Sequence, residues 1–451
     1  MDTKGKKIGA ISLGCDKNRV DLEKMLFQLK ENGFEIVANE EDANLIIINT
    51  CAFIEIARKE SIQTILDICA LKDKGSLEKI IVTGCLPQKN FEEMKTAIPE
   101  VDAFLKIKDN ERIVEEVCKL LSIENYKIKK SKSKLQRILT TVPSYAFLKI
   151  SDGCNNFCSY CTIPRIRGRY TSVPMNELID EAIELANKGV KELVIIAQDI
   201  TRYGSDLPEQ TTLIELIHRL SNIDGIEWIR LHYCYPEKVD DELLNEIKNN
   251  PKVCKYIDVP FQHIDDEILK SMNRRSNEEQ IRTLVKKIRT SYPEIAIRTT
   301  FIIGLPGETR KAFKKLCEFV KESSFEMAGF FAYSREEGTK AYYMPKQVNN
   351  FIKYLRLKKI NKIQATSLNK FISKIVGQEY KVLVDSFDEE KMEATGRTEF
   401  FSPEVDFVIK FPSKNILVSG EYVLVKITQY DMDNFKGEIV WKLIFQPNWH
   451  F

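Results

Sequence analysis

The sequence predicts an α/β protein in three parts: an N-terminal doubly wound parallel α/β domain, a central six-fold partial (β/α) barrel and a small C-terminal antiparallel β-barrel. Apolar runs alternate with amphipathic helical segments through the first two parts, which is typical of parallel sheets. Near the C-terminus the periodicity changes to two, and glycines separate short strands. A chain of 451 residues also suits about three domains. We place them at 1–125, 141–375 and 376–451, with a linker at 126–140.

The bulk composition favours a protein of the reducing cytoplasm. The net charge is +2 and 43% of the residues are hydrophobic, so the whole chain is not a nucleic-acid polycation. Eleven cysteines are too sparse for a disulfide-stapled secreted module. The N-terminus shows no signal-peptide pattern, and the longest apolar runs are too short to span a bilayer. We therefore expect a cytoplasmic protein with no membrane partner.

Three apolar runs in the N-terminal third each lead into a cysteine. The runs begin at Lys7, Ala43 and Lys79, and the cysteines that follow them are Cys15, Cys51 and Cys85. Ligands of open α/β sheets bind beyond the carboxyl ends of the strands, so three thiolates meeting there would form a soft-metal site. The alternative is three separate core cysteines, because free cysteine is often buried. Four other cysteines are predicted to be small core residues, namely Cys69, Cys118, Cys254 and Cys317.

The linker contains a basic run, Lys127–Arg137, with interspersed serines. Such a run is typical of a solvated connector between domains. Its charge would add at most a weak attraction to ribosomal RNA, and we assign no specific site to it.

A second group of cysteines follows the first predicted strand of the middle domain. Cys154, Cys158 and Cys161 have C-x3-C-x2-C spacing. Zinc would require a fourth Cys or His nearby, and none follows soon. Four thiolates normally hold a 4Fe–4S cluster, so three would leave one iron open for a substrate or cofactor. Three arginines just past this loop either steer an anionic group or form a solvated face, namely Arg165, Arg167 and Arg169.

The middle domain repeats a strand and a helix about six times. Six units are too few for a closed eight-fold barrel, and a partial barrel, open on one side, would admit a large substrate. The predicted strands are Ala146–Ser151, Glu192–Ala197, Trp228–Tyr233, Tyr256–Val259, Ile295–Ile303 and Glu326–Tyr333.

Polar residues and glycines follow these strands, where the active sites of such barrels gather. Glycines there let the backbone approach a flat ligand closely, although a stretch of this kind often marks only a turn before a helix. His263 is predicted to be a core histidine. The candidate cofactor-binding residues are Gln198, Gln262, Gly304, Pro306, Gly307 and Glu308.

The C-terminal part follows a basic helix, Phe351–Ile375. Five short alternating segments with glycine breakers predict a small β-barrel. Its predicted strands are Tyr380–Val384, Lys391–Arg397, Glu404–Phe411, Tyr422–Ile427 and Glu438–Leu443.

Together these features resemble the radical S-adenosylmethionine (SAM) methylthiotransferases over essentially the whole chain. The cysteine loop in a six-fold partial barrel resembles radical SAM enzymes, and the tail resembles the TRAM domain, an appendage often used on RNA or ribosome substrates. Two stretches, Ser12–Asp21 and Glu404–Asp406, resemble the branch that modifies an aspartate of a ribosomal protein. Leu22 departs from that branch, where serine is usual, and the stretch 167–169 also resembles the tRNA-modifying branch.

The resemblance implies two 4Fe–4S clusters, with SAM bound at the open iron of one of them. It also implies that the candidate cofactor-binding residues contact SAM. In such enzymes SAM is cleaved reductively, and its deoxyadenosyl radical takes a hydrogen from the β-carbon of an aspartate. Sulfur and a methyl group are then added to give 3-methylthioaspartate. The implied substrate is the twelfth protein of the small ribosomal subunit, and an electron donor such as flavodoxin or ferredoxin is implied as a partner. The implied cluster ligands are Cys154, Cys158 and Cys161 for the first cluster and Cys15, Cys51 and Cys85 for the second.

Two other functions stay open on the sequence. One is a tRNA adenosine methylthiotransferase, and the other is a non-catalytic, metal-bound adaptor for RNA or the ribosome. The tail from Gly377 to Phe451 contains eight Lys or Arg and thirteen Asp or Glu, a net charge of −5. Because phosphate neutralisation provides most of the affinity of an RNA-binding module, an acidic tail favours a basic protein substrate and makes tRNA an unlikely partner.

Overall fold

The computed structural model describes residues 5–72, 75, 77–124, 127–129 and 136–442. The chain divides into two compact units. Unit 1 comprises Met1–Thr140, Ser151–Val173 and Ser334–Tyr342, and unit 2 comprises Thr141–Ile150, Pro174–Tyr333 and Tyr343–Phe451. Within the described ranges, no helix is both long and apolar enough to cross a membrane.

The secondary structure alternates strand and helix up to the long helix that precedes the tail. The strands are β1 Lys7–Ser12, β2 Glu35–Ile36, β3 Leu45–Thr50, β4 Lys79–Gly84, β5 Ala103–Phe104, β6 Tyr145–Lys149, β7 Ser151–Asp152, β8 Thr171–Ser172, β9 Glu192–Ile196, β10 Trp228–Leu231, β11 Tyr256–Asp258, β12 Ala296–Ile303, β13 Met327–Ala332, β14 Glu379–Asp388, β15 Glu393–Arg397, β16 Ile409–Pro412, β17 Tyr422–Tyr430 and β18 Phe435–Lys442. The α-helices are α1 Asp16–Glu31, α2 Glu55–Lys72, α3 Cys85–Ala97, α4 Ile113–Leu120, α5 Ile163–Ile166, α6 Met175–Asn187, α7 Leu213–Ser221, α8 Asp241–Asn249, α9 Asp266–Ser271, α10 Glu278–Ser291, α11 Arg310–Ser323, α12 Lys340–Tyr343 and α13 Asn350–Ile375. Short 3-10 turns lie at Glu40–Asp42, Ile107–Arg112, Ile200–Arg202 and Pro236–Lys238.

Unit 1 is built on a parallel sheet with the strand order β2-β1-β3-β4-β5. Strand β3 is buried along its whole length, because helices cover both faces of the sheet. Leu45 and Ile47 pack in one core with residues of α1 and α4, whereas Ile46 and Ile48 pack in the other core with residues of α2 and α3. The doubly wound N-terminal fold predicted from the sequence is therefore confirmed.

The predicted linker is only partly described, at 127–129 and 136–140, and the rest of it lies outside the described residues. Its final part is not solvated as the charge pattern predicted. The Arg137 side chain is buried, and its NH1 donates to Glu23 Oε2 of α1 at 2.9 Å. Glu23 Oε1 accepts from the amide and the hydroxyl of Thr140 at 2.7 and 2.8 Å. The basic run therefore ends in a buried ion pair, since a charge inside a protein needs a partner.

The barrel strands of unit 2 run parallel and follow one another in chain order. They form the sheets β6-β9-β10 and β11-β12-β13. A parallel bridge between Ile229 of β10 and Val253 lies between the two sheets, and the Ile229 amide donates to the Lys252 carbonyl at 2.7 Å. This arrangement agrees with the predicted six-fold partial barrel, which is confirmed.

The tail of unit 2 is a closed barrel with the strand order β14-β15-β16-β18-β17. The pairings are antiparallel as predicted, except that β16 and β18 pair in parallel. Strand β16 also starts five residues later than the predicted strand at Glu404. Glu404 has a left-handed backbone (φ 65°) and accepts from the Tyr145 hydroxyl at 2.6 Å, and Asp406 pairs with Arg298 at 3.2 Å. These side chains are used to hold the tail against the barrel strands, so their backbone does not enter the ladder.

A buried charge network joins β14 and β15 of the tail to the barrel strands. Glu192 of β9 accepts from Arg230 Nε at 2.5 Å and from Arg397 NH1 at 2.7 Å. Arg397 forms a two-point pair with Asp385 at 2.7 and 2.8 Å, and the Ser144 hydroxyl donates to Asp385 at 2.6 Å. Burial alone would raise the pKa of Glu192, but the two guanidinium groups hold it below its usual value. The tail is thus an integral part of unit 2.

Candidate metal centres and cofactor residues

The C-x3-C-x2-C loop lies between the short antiparallel strands β7 and β8 of unit 1. The Cys154 amide donates to the Gly168 carbonyl at 3.2 Å, and the Cys161 amide donates to the Cys158 carbonyl at 3.0 Å. Cys154 and Cys158 are buried, and Cys161 is half-buried. These two hydrogen bonds therefore fix the backbone of the loop at its first cysteine and at its last.

Two backbone amides of this loop point at cysteine sulfurs. The Asn156 amide donates to Cys154 Sγ and the Ile163 amide donates to Cys161 Sγ, each at 3.5 Å. Amide donors stabilise sulfur in its anionic form and adjust the potentials of iron–sulfur centres. The loop thus has the donor set that cluster thiolates need.

Gly153 closes the loop in a way that excludes any side chain. It has φ 71°, and an added Cβ would collide with the Arg169 carbonyl. We expect Gly153→Ala to disorder the loop and to lower the iron bound by purified, reconstituted protein by about half, the share of one of two clusters. The matched control is Gly189→Ala, because Gly189 has a similar φ of 91° but open space around it. Equal iron in the two variants would contradict this role of Gly153.

The N-terminal cysteines lie where the sequence placed them, at the carboxyl ends of neighbouring strands. Cys15 comes three residues after β1 ends, and Cys51 and Cys85 follow β3 and β4 directly. A Cβ on Gly14 would stand 2.6 Å from Cys51 Cβ and 2.9 Å from its Sγ, so the loop that carries Cys15 abuts Cys51. Cys15 is exposed, whereas Cys51 and Cys85 are buried.

Asn18 ties the three strand ends together. Its Nδ2 donates to the Leu13 carbonyl at 3.1 Å and to the Thr50 carbonyl at 2.9 Å, which precede Cys15 and Cys51. The Cys85 thiol donates to Asn18 Oδ1 at 3.6 Å. One side chain thus contacts the segment around each cysteine, although the sequence argument gave it no role.

Arg167 connects this site with the segment that leads into the cysteine loop. Its side chain is 1% exposed. Its NH2 donates to Asn18 Oδ1 at 2.6 Å and to Asp21 Oδ2 at 2.9 Å, and its NH1 donates to Asp152 at 2.9 and 3.2 Å. Neither predicted role for the three arginines fits Arg167: it is a buried ion-pairing residue, whereas Arg165 and Arg169 are exposed.

Burial determines the protonation state of two thiols in the N-terminal site. Burial raises the pKa of the Cys51 thiol, and it raises that of Cys85 to about 12, with the Arg167 guanidinium opposing the shift. The thiols are therefore protonated in the metal-free protein. A bound metal centre replaces those protons, because a coordinating thiol is deprotonated outright.

A single metal ion and a 4Fe–4S cluster require different arrangements of their ligands. Among the described residues, no three Cys, His, Asp or Glu side chains are grouped so that they could hold one ion. In a 4Fe–4S cluster each thiolate binds a different iron, so the sulfurs stand farther apart than the ligands of one ion.

The candidate SAM residues belong to unit 2, and Gln262 is the best suited of them to a ligand. It has φ 70°, and its Oε1 is buried without a hydrogen-bond partner among the described residues. A buried acceptor of this kind needs a donor that a ligand can supply. Gln198, just past β9, is half-buried.

Residues of α13 hold the glycine-bearing turn after β12 in place. An added Cβ on Gly304 would meet the Lys353 side chain. The Gly304 amide donates to Glu308 Oε2 at 2.6 Å, and Arg356 of α13 donates to Glu308 Oε1 at 2.6 Å. Pro306 is buried and Gly307 is half-buried with open space around it. Glu308 therefore fastens the turn to α13, a role that sequence reasoning missed because its partner is 48 residues away.

His263 and four cysteines are core residues, as predicted. Burial lowers the pKa of His263 to about 3, so the ring is neutral, and its Nδ1 accepts from the Asp265 amide at 3.0 Å. The buried cysteines are Cys69, Cys118, Cys254 and Cys317.

Comparison with known proteins agrees with the arrangement of the chain. Residues 148–320 match the radical SAM superfamily, residues 7–106 match the uncharacterized protein family UPF0004, and residues 376–440 match the TRAM domain. Among solved structures, the radical SAM methyltransferase TsrM from Kitasatospora setae, with cobalamin and a 4Fe–4S cluster bound, superposes with TM-score 0.57 over 74% of each chain at 13% identity. At that identity the likeness concerns the fold alone.

Curated relatives match over nearly the full length. The protein from Acetivibrio thermocellus is 44% identical, with 96% of this chain and 98% of the relative covered. That from Geobacter sulfurreducens is also 44% identical, with 98% and 100% covered, and that from Thermoanaerobacter sp. is 45% identical, with 95% and 99% covered. Each is named ribosomal protein uS12 methylthiotransferase RimO. The chain therefore belongs to the RimO family of radical SAM methylthiotransferases.

Proposed function

We propose that this enzyme adds sulfur and a methyl group to the β-carbon of an aspartate in ribosomal protein uS12, giving 3-methylthioaspartate. The observation that carries the proposal is that both cysteine triads belong to unit 1. Arg167 bonds there both to Asn18, which contacts the N-terminal cysteine segments, and to Asp152, two residues before Cys154. A radical source and a sulfur source are thus linked through one buried side chain.

The cysteines have separate roles in this proposal. Cys154, Cys158 and Cys161 hold one 4Fe–4S cluster and leave an iron open for SAM, and Cys15, Cys51 and Cys85 hold the other. When bound, these groups supply the electron and the sulfur for chemistry on a carbon that has no acidic proton. The amides of Asn156 and Ile163 stabilise the thiolates of the first site.

The candidate cofactor-binding residues of unit 2 are proposed to have different roles. Gln262, with its orphan acceptor, is proposed to bind a polar group of SAM, and Gln198, Pro306 and Gly307 are proposed to line the same ligand. Gly304 and Glu308 are proposed to act mainly by shaping the turn, because Lys353 and Arg356 already contact them. A flavodoxin or a ferredoxin is the proposed electron donor, and the cytoplasm is the proposed compartment.

The proposed domain boundaries remain 1–125, 141–375 and 376–451, with the linker at 126–140. The family matches at 7–106, 148–320 and 376–440 lie inside these limits. In the division into two compact units, however, residues 151–173, which include the cysteine loop, belong to unit 1 with the N-terminal residues.

The direct test is turnover by reconstituted protein supplied with SAM, a reductant and either free uS12 or tRNA. The proposal predicts methylthiolated aspartate in uS12 and no methylthiolated adenosine in tRNA. The adaptor function would give no deoxyadenosine from SAM, and the tRNA enzyme would give the modified nucleoside instead.

The tail offers a second test of substrate choice. Two of its acids are internal: Asp385 pairs with Arg397, and Asp406 pairs with Arg298. Glu389 and Glu390 remain exposed at the turn between β14 and β15, and Glu393 is half-buried. These outward acids are proposed to attract basic uS12 and to repel tRNA, since complementary charge favours encounter and partner choice.

We expect the charge reversal E389K/E390K/E393K to weaken uS12 binding by several-fold at low salt, because each exposed charge contributes about 0.2–1 kcal/mol. The full chain is used, since the tail shares its core with Trp228 and Tyr256. The control E177K/D180K/E184K reverses three acids on α6 with the same pattern of exposure. Equal losses in both variants would contradict this role of the tail.

A further inference from the structure

The segment that joins the barrel to the tail is strongly basic. From Gly338 to Gln378 it has nine Lys or Arg and no Asp or Glu. The net charge of the whole chain is only +2, so the other residues together are net acidic. Most of this positive charge falls on α13.

Helix α13 has one buried face and one outward face. Ile360, Gln364 and Ser367 are buried, and the Gln364 amide donates to the Phe325 carbonyl at 2.8 Å. Positions three and four apart share a face of a helix. Opposite the buried residues, the outward face carries the exposed side chains Phe351, Tyr354, Lys358 and Lys362, with Lys359 beside them.

Three lysines carry the positive charge on the outward face of α13. Among the described residues, none of Lys358, Lys359 and Lys362 has a carboxylate partner. On other parts of the surface, the exposed Lys314 pairs with Glu318 at 3.6 Å and the exposed Lys391 pairs with Asp388 at 2.6 Å. The charges on α13 are therefore available to an anionic partner.

The rings on the same face narrow the choice of partner. Phe351 is 66% exposed and Tyr354 is 59% exposed, and they precede Lys358 by about two turns and one turn, respectively. Cations that neutralise phosphates, together with exposed aromatic rings on which unpaired bases stack, are the two elements of a surface that binds single-stranded nucleic acid. A basic protein such as uS12 would be repelled by this face.

We propose that the outward face of α13 binds RNA, so that the enzyme meets uS12 in an RNA-containing ribosomal particle. The proposal rests on uS12 being the substrate. Two surfaces of unit 2 then bind different parts of the particle. The acidic turn of the tail binds the protein, and α13 binds the RNA beside it.

The test measures binding of the reconstituted full chain to small ribosomal subunits over a series of salt concentrations. The variant is K358E/K359E/K362E, and the control K59E/K95E/K119E reverses three exposed lysines dispersed over α2, α3 and α4 with the same change in net charge. We expect the α13 variant to lose at least about tenfold in affinity at low salt. Its log–log salt slope should fall by about two to three, because each lost phosphate contact removes about 0.7–0.9.

The rate at which free uS12 is modified distinguishes a failure of this proposal from a failure of the proposed function. The α13 variant should modify free uS12 at the wild-type rate while losing rate on assembled subunits. Unchanged subunit binding, or equal losses in variant and control, would overturn the role of α13. A wild-type enzyme that leaves uS12 unmodified in either form would instead overturn the proposed function. A K358Q/K359Q/K362Q variant, which adds no new charge, is expected to show an intermediate loss.

Discussion

Replacing Cys154, Cys158 and Cys161 together by alanine is expected to remove about half of the iron and all reductive cleavage of SAM. Two 4Fe–4S clusters imply roughly eight irons per chain in protein made without oxygen. The variant should keep only the N-terminal cluster, and SAM then loses the open iron of the C-x3-C-x2-C loop, where its cleavage is expected. Iron content and deoxyadenosine formation are the two measurements.

The matched variant replaces Cys15, Cys51 and Cys85 by alanine. It should also lose about half of the iron, but it should still form deoxyadenosine from SAM, since the other cluster is intact. Deoxyadenosine without methylthiolated product would show that the first cluster works alone as a radical source. Iron equal to that of the wild type would contradict the presence of a second cluster.

The second large effect is expected from Arg167→Met. The substitution leaves Asp21 and Asp152 without their shared cation and Asn18 Oδ1 without its closest donor. Breaking a buried ion pair from one side costs about 3 kcal/mol or more. Arg167→Lys keeps the charge but loses the planar fork that reaches all three partners, so it should recover only part of the loss.

The readout isolates the N-terminal cluster. In the background that lacks Cys154, Cys158 and Cys161, all bound iron belongs to that cluster, and its electron paramagnetic resonance spectrum reports its surroundings. Arg167→Met should lower this iron and change the spectrum. The control Arg112→Met removes an exposed arginine, 61% accessible, from a surface pair with Glu115, and it should change neither. An unaltered spectrum with full iron in Arg167→Met would show that the arginine serves the fold alone.

Local patterns were enough to predict the main elements of the fold. The runs before Cys51 and Cys85 are continuous apolar strands because helices cover both faces of their sheet, and this is visible in the sequence itself. The positions of the N-terminal cysteines followed from topology, since parallel strands bring their carboxyl ends to one edge. The two-residue periodicity of the tail, with glycines between the short strands, predicted a barrel.

Contacts between distant residues were beyond such patterns. Arg167 and Asn18 are 149 residues apart, and neither carries a local signal of burial or pairing. Gly304 belongs to a stretch that has the composition of a ligand-binding turn. A glycine is required there, however, because an added Cβ would collide with the Lys353 side chain of α13. Glu404 fits an alternating strand, but its carboxylate is bound to Tyr145 of the barrel. In each case a contact between residues far apart in the sequence decided the outcome.

Mass spectrometry of uS12 from cells with and without the gene tests the central claim most directly. We expect methylthiolated aspartate in uS12 from cells that carry the gene, an unmodified aspartate in cells that lack it, and unchanged modified adenosine in tRNA from both. Restoration by the wild-type gene, but not by a gene in which Cys15, Cys51 and Cys85 are replaced by alanine, would tie the product to the second cluster. An unmodified uS12 in both strains, with methylthiolated adenosine lost from the tRNA of the deletion strain, would contradict the account.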